Sequence, residues 1–537
     1  MNKLFIQLLN TRGLTPSFLD PKYEGLTDPF VLPDMKKATN RIKEAIKNRE
    51  KILIYGDYDV DGITASVLME DALKLAGVDP KNIHIMLPNR FIDGYGMSPK
   101  LIQYAKKQGI TLVITVDCGS RNHEIIDELN SLKIDSIITD HHETSDHPPE
   151  ALATINPKRK DFTPHPSLFN LAGVGVAFKL AEALVREKLI KNGQEKWLLD
   201  LVLIGTICDN MILTDENRIL CRYGLKVIEK TRRPGLRELI QKARIKKFTS
   251  DSIGFQIGPR LNAAGRLETA DIALSLLRTT SPSEAAVIGS KLEELNQKRK
   301  SEQLVAAKEI DSRGVSDDSV IIETGTWHEG ILGIIAGRLV EKYQRPTFVL
   351  TETKDDILKG SGRSFGDFSL AEALAYAQNS IISGGGHAGA AGVKLEKSHL
   401  CEFREKINEY YRSLHLVDQA KYLKNHADLE VENLSDFSLD LLDDLKSLEP
   451  FGVGNEEPIF CLKNIEILES RKMGSEQNHL RLDVRGKDRK ILKLVAFFAP
   501  ENWLRIEPGE ICDILVKITE NEWNGTRSVE ARIVDIL

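Results

Sequence analysis

The sequence predicts an α/β protein in three parts: a parallel, doubly wound sheet, a second α/β unit beyond a long helix, and a small β-barrel at the C-terminal end. Three observations predict this. Short unbroken apolar runs alternate with helix-patterned segments between 51 and 209, and strands covered on both faces by crossover helices read as such runs. The stretch 282–312 has no Gly or Pro after Gly289 and alternates charge with apolar residues at helical spacing. Beyond 425 the texture changes to alternating or apolar β patterns of moderate length.

Taken in order, residues 1–45 are a helical lead-in, with apolar positions at helical spacing from Met35 to Ile46. The first domain is expected over 46–281. Its strand KILIYG stops at Gly56, and Gly62 to Ala76 has a helix pattern. TLVITVDCG is a strand, NHEIIDELNSL a helix, and DSIITDHH a strand ending in polar residues. LLDLVLIGTICD is an apolar segment ending in Asp209, read as one more strand end. A connecting helix is expected over 282–315 and a second α/β domain over 316–415. In the latter, SVIIETG and PTFVLTE are strands, ILGIIAGRLVEKY is a helix, and Gly384 to Gly392 is glycine-rich. The barrel is expected over 425–537, from LRLDVRG, LKLVAFF, ICDILVKITEN and SVEARIVDI, with Asn524-Gly525 as a hairpin turn.

Composition narrows the function. With 537 residues, 41% hydrophobic and 28% charged, the chain supports several cores, about 150 residues each. Its net charge of −6 excludes a globally basic nucleic-acid binder, so any such binding needs local patches or metal ions. The six cysteines form no CxxC pair, which argues against a zinc knuckle or disulfide framework and for a reducing compartment. No stretch approaches the ~18 apolar residues of a membrane helix, and MNKLFIQLLNTRG lacks the features of a signal peptide. The expectation is a cytoplasmic protein.

The strongest local signal is Gly56-Asp57-Tyr58-Asp59-Val60-Asp61-Gly62, directly after a strand. In an extended segment the alternating carboxylates share one face. A polar loop with a helix-capping Asp would also read this way. An EF-hand does not fit, because the twelfth position from Asp57 is Leu68 rather than Glu. Asp117, Asp140-His141-His142 and Asp209 then follow at the ends of later apolar runs. The carboxyl ends of parallel strands share one edge, where ligands bind. Four coincidences at one edge point to a metal centre. Carboxylates with imidazole suit Mn²⁺ or Mg²⁺ better than zinc. An acidic cluster of this size can hold two ions about 3.5–4 Å apart, the arrangement used for in-line phosphoryl displacement.

GDYDVDG, VDCG, DHH and the later Asp209 resemble the four motifs of the DHH phosphoesterase superfamily. The later segments GPRLNAAGR, WHEGILGIIAGRL, GSGRS, SGGGHAGAAG and LEPFGVGNEEPIF are similar, in this order, to those of RecJ-type exonucleases, and the likeness covers nearly the whole chain. It implies a DHH domain, a DHH-associated α/β domain joined by the long helix, and a C-terminal OB-fold barrel. It also implies a 5′-to-3′ exonuclease specific for single-stranded DNA, releasing 5′-mononucleotides in DNA repair and recombination. By this resemblance Asp59, Asp61, Asp117, His141 and Asp209 would hold two Mn²⁺ or Mg²⁺ ions, with Asp117 bridging. His142 would contact the scissile phosphate or move a proton, and Asp57 would be a secondary or orienting group. Many DHH enzymes carry His where this chain has Tyr55, and a phenol is a poor ligand at neutral pH. Cys208 and Asn210 also depart from the RecJ pattern beside Asp209.

An exonuclease grips phosphates without reading bases. Arg260, Asn262 and Arg266 fall in what reads as a turn-rich loop. Arg90, Ser361 and Arg363 are the residues expected to hold the 5′-terminal phosphate, and His387 to donate to a phosphate oxygen. Any one of these could equally make structural salt bridges. In the barrel, Phe497, Phe498, Trp503 and Trp523 could stack on bases or pack in the core. Arg471, Lys472, Arg485, Lys487, Arg489 and Lys490 could line a strand or form a solvated face. The resemblance implies a monomer that works with single-strand-binding protein and a RecQ-type helicase, the barrel closing a clamp on the DNA. Two other readings remain. One is a small-substrate DHH phosphodiesterase acting on short oligonucleotides or cyclic dinucleotides, whose relatives generally lack the barrel. The other is a non-catalytic, Cdc45-like DNA-binding scaffold, which degenerate metal motifs would mark.

Overall fold

The computed structural model describes residues 1–94, 96–354, 356–416, 426–523 and 525–537. The chain divides into two compact units. The larger comprises Pro29–Asp209 and Val227–Tyr422; the smaller comprises Met1–Asp28, Asn210–Lys226 and Leu423–Leu537.

The larger unit begins with a parallel sheet of β1 (Ile52–Gly56), β2 (Ile83–Met86), β3 (Leu112–Val116), β4 (Asp135–Thr139) and β5 (Ala153–Ile155). The spatial order is β2-β1-β3-β4-β5, and every neighbouring pair is parallel. β1 and β3 are buried at every position, which is why they read as apolar runs without alternation. Parallel pairing sets the C-terminal ends of β1, β3 and β4 side by side, with Gly56 opposite Val116 and Val116 opposite Thr139.

Two segments differ from their sequence readings. The run ending at Asp209 is not a strand but a helix, Leu199–Cys208, and Asp209 is its C-cap. Its core is apolar on all sides, and periodicity cannot separate such a helix from a buried strand. GPRLNAAGR is likewise a helix, Gly258–Leu267, rather than a turn-rich loop. Its proline occupies the first turn, where the missing N–H costs nothing.

The long helix spans Pro282–Arg313, capped by the Ser281 hydroxyl accepting from Glu284 N–H. Beyond it lies a mixed sheet of β6 (Ile321–Gly325), β7 (Thr347–Glu352), β8 (Ile357–Arg363), β9 (Ser383–Gly386) and β10 (Ala390–Glu396), ordered β6-β7-β8-β10-β9. One apolar core, including Phe348, Phe368 and Phe403, lies against this sheet.

The smaller unit contains β11 (Leu429–Val431), β12 (Phe460–Met473), β13 (His479–Arg485), β14 (Ile491–Ala496), β15 (Ile511–Trp523) and β16 (Thr526–Ile536). The order is β11-β12-β13-β14-β16-β15, and β12 also pairs with β15. That pairing closes β12–β16 into a barrel, the architecture expected of an OB-fold. β13 alternates buried and half-buried positions, as a barrel wall requires. The longest strand, β12, escaped the sequence reading. The expected turn at Asn524 lies outside the described residues.

Residues from the start of the chain enter this barrel's core, with Leu4, Phe5 and Leu8 packing among its strands. Buried Arg218 ties the three segments together. It donates to the carbonyls of Phe18 (2.9 Å), Ser447 (3.0 Å) and Leu448 (2.8 Å), and its guanidinium lies 3.8 Å from the Phe18 ring centroid. The lead-in expected over 1–45 therefore divides: its first part belongs to the barrel's core, whereas the helix Met35–Asn48 lies in the larger unit. No helix among the described residues is long and apolar enough to cross a membrane.

Candidate active site

Asp57 follows β1 directly and is 4% exposed. Asp59 caps the next helix, Val60–Leu75, accepting from Gly62 N–H at 3.0 Å. Gly62 is required there, because a Cβ would stand 2.5 Å from the Asp57 backbone nitrogen. Asp61, in the first helical turn, accepts from the Gly173 and Val174 N–H groups at 2.7 and 2.9 Å. Those two open the helix Gly173–Arg186, so the carboxylate sits against the positive end of a second helix.

Asp117 follows β3 with φ of +61°, a costly conformation for a residue with a side chain. A Cβ on Gly173 would lie 2.4 Å from its Oδ1, so the glycine makes room for the carboxylate. His141 Nε2 stands 3.1 Å from Asp117 Oδ1, 3.5 Å from Asp209 Oδ2 and 3.9 Å from Asp61 Oδ2. Despite that proximity, Asp117 Oδ1, His141 Nε2 and Asp57 Oδ1 make no hydrogen bond and are closed off from solvent. Buried polar atoms are ordinarily paired. Orphans that converge on one point are lone pairs arranged for a cation.

The electrostatics agree. Burial first, and the neighbouring carboxylates next, push Asp61 and Asp117 far above the ordinary carboxylate range. Burial and Asp59 do the same to Asp57, and Asp209 is pushed up to about 7. So many carboxylates cannot all ionise together without positive charge among them. His141 is held down to about 3, chiefly by burial, so its ring is neutral and able to ligate. His142 behaves oppositely. Burial would lower it, but its Nδ1 lies 2.9 Å from Asp140 Oδ1, which raises it to about 9. Asp140 itself is pinned by the N–H groups of Ser120, His141 and His142.

Three ligand groupings result: Asp57, Asp59 and Asp117; Asp61, His141 and Asp209; and Asp117, His141 and His142. Asp117 and His141 each belong to two of them. The donor set of carboxylate oxygens with imidazole suits hard divalent ions such as Mn²⁺ and Mg²⁺. Tyr55 takes no part. It is fully buried, its hydroxyl donates to the Gly96 carbonyl at 3.1 Å, and it accepts from Ser98 N–H at 3.0 Å.

Four guanidiniums gather beside this centre, and none is ion-paired to a carboxylate among the described residues. Arg90 lies 5.2 Å from the Tyr58 ring. Arg363, at the end of β8, donates to Ser361 Oγ and the Gly362 carbonyl. Arg266 donates to the Gly330 carbonyl at 3.2 Å. Burial holds Arg266 below its ordinary value, and the charges of Arg90, Arg299 and Arg363 act in the same direction. A Cβ on Gly333 would meet Arg363 Nη2 at 2.9 Å and Ser361 Oγ at 3.0 Å, so both side chains rest on the first turn of the helix Leu332–Tyr343.

Of the expected phosphate contacts, the structure thus brings Arg90, Arg266, Ser361 and Arg363 to one place. Arg260 does not join them. Its Nε donates to Glu293 at 2.6 Å and its Nη1 to the Gln256 carbonyl. Asn262 is half-buried on the same helix, and exposed His387 feels the charge of His142. In the barrel, Phe497 and Phe498 are 62% and 76% exposed, whereas Trp503 packs against the core. The Trp523 side chain lies outside the described residues.

Asp140 was seen in its motif, but its hold on His142 was not, and one residue here was missed from the sequence altogether. Arg299 is 9% exposed and occupies the buried stripe of the long helix with Leu292, Leu295 and Asn296. A charge in phase with an apolar stripe was the available signal.

Comparison with known proteins matches three family models: the DHH family N-terminal domain over 51–206, the DHHA1 domain over 317–413 and the RecJ OB domain over 427–535. The single-stranded-DNA-specific exonuclease RecJ of Bacillus subtilis is 35% identical over 99% of this chain and 67% of the relative. That of Escherichia coli is 32% identical over 99% of this chain and 95% of the relative. The crystal structure of RecJ from Thermus thermophilus with Mn²⁺ superposes with a TM-score of 0.85 at 27% identity, covering 100% of this chain and 76% of that one.

Proposed function

This chain belongs to the RecJ family of DHH phosphoesterases, and on that premise we propose that it is a metal-dependent exonuclease acting on single-stranded DNA from the 5′ end. The observation that carries the proposal is the convergence of Asp61, Asp117, His141 and Asp209 on one point, with buried donor atoms left unpartnered, beside a wall of guanidiniums. Asp59, Asp61, Asp117, His141 and Asp209 would hold two Mn²⁺ or Mg²⁺ ions, with Asp117 belonging to two of the ligand groupings and Asp57 supporting. When bound, the ions supply a nucleophile from water at neutral pH and offset charge on the phosphate oxygens.

The chain's own residues do the rest. His142, kept cationic by Asp140, donates to an oxygen of the scissile phosphate or to the departing 3′ oxygen. Asp117 fixes the register of the centre through its strained backbone. Arg90, Ser361 and Arg363, with Arg266 behind them, hold the terminal 5′-phosphate; a planar guanidinium fork matches that group. Asn262 and His387 contact the strand between. A phosphate held one nucleotide from the centre makes the product a 5′-mononucleotide. Backbone grip without base contacts makes the cleavage insensitive to sequence. Exposed Phe497 and Phe498 on the barrel offer ring faces on which bases stack.

The role proposed is end-processing in DNA repair and recombination, by a cytoplasmic monomer alongside single-strand-binding protein and a RecQ-type helicase. The six free thiols support a reducing compartment. The barrel argues against a small-substrate phosphodiesterase, and the intact donor set argues against a scaffold.

The test is product analysis on single-stranded DNA labelled at the 3′ end, with Mn²⁺, comparing the protein with Asp117→Ala. A ladder shortening from the 5′ end, absent in the variant, is expected. An intact strand alongside cleaved dinucleotides would replace this reading with the small-substrate one.

A further inference from the structure

Close in sequence to Arg90 and Ser361, Phe91 and Lys359 line a cavity of about 660 Å³ together with His328, Glu329 and Lys394. That volume is in the middle of the range of about 300–1,000 Å³ for small-ligand sites. A single terminal phosphate at Ser361 and Arg363 leaves it unused. It is tied to the proposed phosphate site in two ways. Phe91 is the residue after Arg90. Lys359 precedes Ser361 by two positions on β8, so both side chains stand on one face, about 7 Å apart along the strand.

The pairing of β8 with β10 sets Lys394 directly opposite Lys359 and Gly392 opposite Ser361. One sheet face thus carries a row of Arg363, Ser361 and then the Lys359–Lys394 pair. Lys359 Nζ is held at 2.9 Å by Glu329 Oε2, which fixes the ammonium at the cavity wall. Glu352, another carboxylate of the lining, is neutralised by Lys397 at 2.8 Å. Also in the lining, Phe91 and His328 meet edge to face, 5.5 Å between centroids, and present an aromatic surface where a base could rest.

We infer that this cavity receives a pyrophosphate extension of the 5′ end, so that the enzyme degrades strands that begin with a triphosphate or a nucleoside cap as well as those that begin with a monophosphate. The inference rests on the proposed function for the placement of the 5′-phosphate. Lys359 and Lys394 take the added phosphates, and the Phe91–His328 wall takes a capping base. The bond cleaved is unchanged. A water oxygen joins the phosphorus of the first internucleotide linkage, and the bond from that phosphorus to the 3′ oxygen of the terminal nucleotide breaks. The 3′ oxygen leaves with a proton, and the shortened strand keeps a 5′-phosphate. Only the first product differs: a nucleoside triphosphate from a triphosphorylated end, or a dinucleoside pyrophosphate from an adenylated one.

The experiment compares three single-stranded DNAs of one sequence, carrying a 5′-monophosphate, a 5′-triphosphate or a 5′-adenylyl pyrophosphate. The first-cycle product is identified by mass, with the full-length protein and with Lys394→Ala and Lys359→Ala. The expected result is cleavage of at least one extended end at a rate comparable to the monophosphate, with its pyrophosphate retained in the product. The variants should raise KM for that end about tenfold, the worth of one charge-assisted contact, and leave the monophosphate strand unchanged. The triphosphate and adenylyl arms show whether the site takes bare phosphates or a capped end. If both extended strands resist while the monophosphate strand is cut, the inference is overturned and the proposed function stands. Equal KM increases on all three ends would also overturn it, placing the lysines in general strand binding. If the monophosphate strand itself is not shortened, the proposed function fails first.

Discussion

Within the larger unit two charged regions face opposite problems. Around Asp57, Asp61, Asp117 and Asp209, carboxylates crowd until burial and mutual repulsion hold them above their ordinary range. Around Arg90, Arg266, Arg299 and Arg363, guanidiniums crowd without carboxylate partners, and each of Arg266, Arg299 and Arg363 is held below its ordinary value, first by burial. Neither region stabilises the fold by itself, since a buried charge without a partner costs several kcal/mol. A ligand of opposite sign would complete each: cations in the first and, on the proposed function, a phosphate in the second.

Arg218 in the smaller unit supplies the contrast. It too is buried, at 2% exposed, and burial brings it down to about 10. Its donors, however, go to three backbone carbonyls. Arg299, by contrast, donates to Gln303 and Asn296 and keeps its buried Nε unpaired.

The comparison breaks most sharply at Asp117. Asp117→Ala should lower exonuclease turnover by at least about 10³-fold, because an ion centre contributes several kcal/mol to the transition state. The ion-free protein should keep or gain thermal stability, since one repelling carboxylate is gone. Steady-state kinetics with Mn²⁺ and melting curves in chelator read the two effects; a large loss of stability in chelator would contradict the account.

Next in size, Arg363→Ala should reduce kcat/KM on 5′-phosphorylated strands by about 10²-fold, the loss of a bidentate charged contact. A strand with a 5′-hydroxyl should lose much less, and equal losses on both would remove Arg363 from the phosphate site. Mn²⁺ at 100 times its dissociation constant should stabilise the native protein by about 2.7 kcal/mol, seen as a rise in Tm that Asp117→Ala diminishes.

A matched pair of substitutions sharpens the contrast between arginines. Arg218→Met should cost about 1–3 kcal/mol, through the Phe18 carbonyl left unpaired while those of Ser447 and Leu448 keep only Arg222 and Asn455, and leave the activity of each folded molecule unchanged. Arg299→Met should lower activity about tenfold and leave stability equal or higher, because an apolar side chain replaces a buried charge. Denaturant titration beside kinetics distinguishes them, and a stability loss for Arg299→Met would make it a second structural arginine. The smallest effect belongs to Tyr55→Phe, which should cost about 1–2 kcal/mol through its two backbone hydrogen bonds and leave the Mn²⁺ requirement unaltered.

Much of the candidate site was legible because parallel strands end on one edge. GDYDVDG, VDCG and DHH each follow an apolar run, and β1, β3 and β4 deliver them together. Asp209 was found by the same logic although its run proved helical. The end of a helix buried on all sides carries the same pattern as the end of a strand. Arg260 was misplaced for a related reason. The loop read there is a helix, and the helix turns that side chain onto Glu293 instead of the centre.

What the sequence by itself determined is local and periodic. It set the apolar runs that must be buried on both faces, the carboxylates and histidines at their ends, the long helix and the alternation of β13. Only the tertiary structure decided what depends on residues far apart in the chain. It placed Leu4, Phe5 and Leu8 in the barrel's core, and gave Tyr55 to the backbone of Gly96 and Ser98 rather than to a metal. It also joined Arg90, Arg266, Arg299 and Arg363 from four separate segments. The physical reason is that burial and charge repulsion belong to an environment. No residue carries its neighbours in its own sequence, so whether an arginine is a clamp or a phosphate grip is settled only when the distant segments that satisfy or desert it have packed.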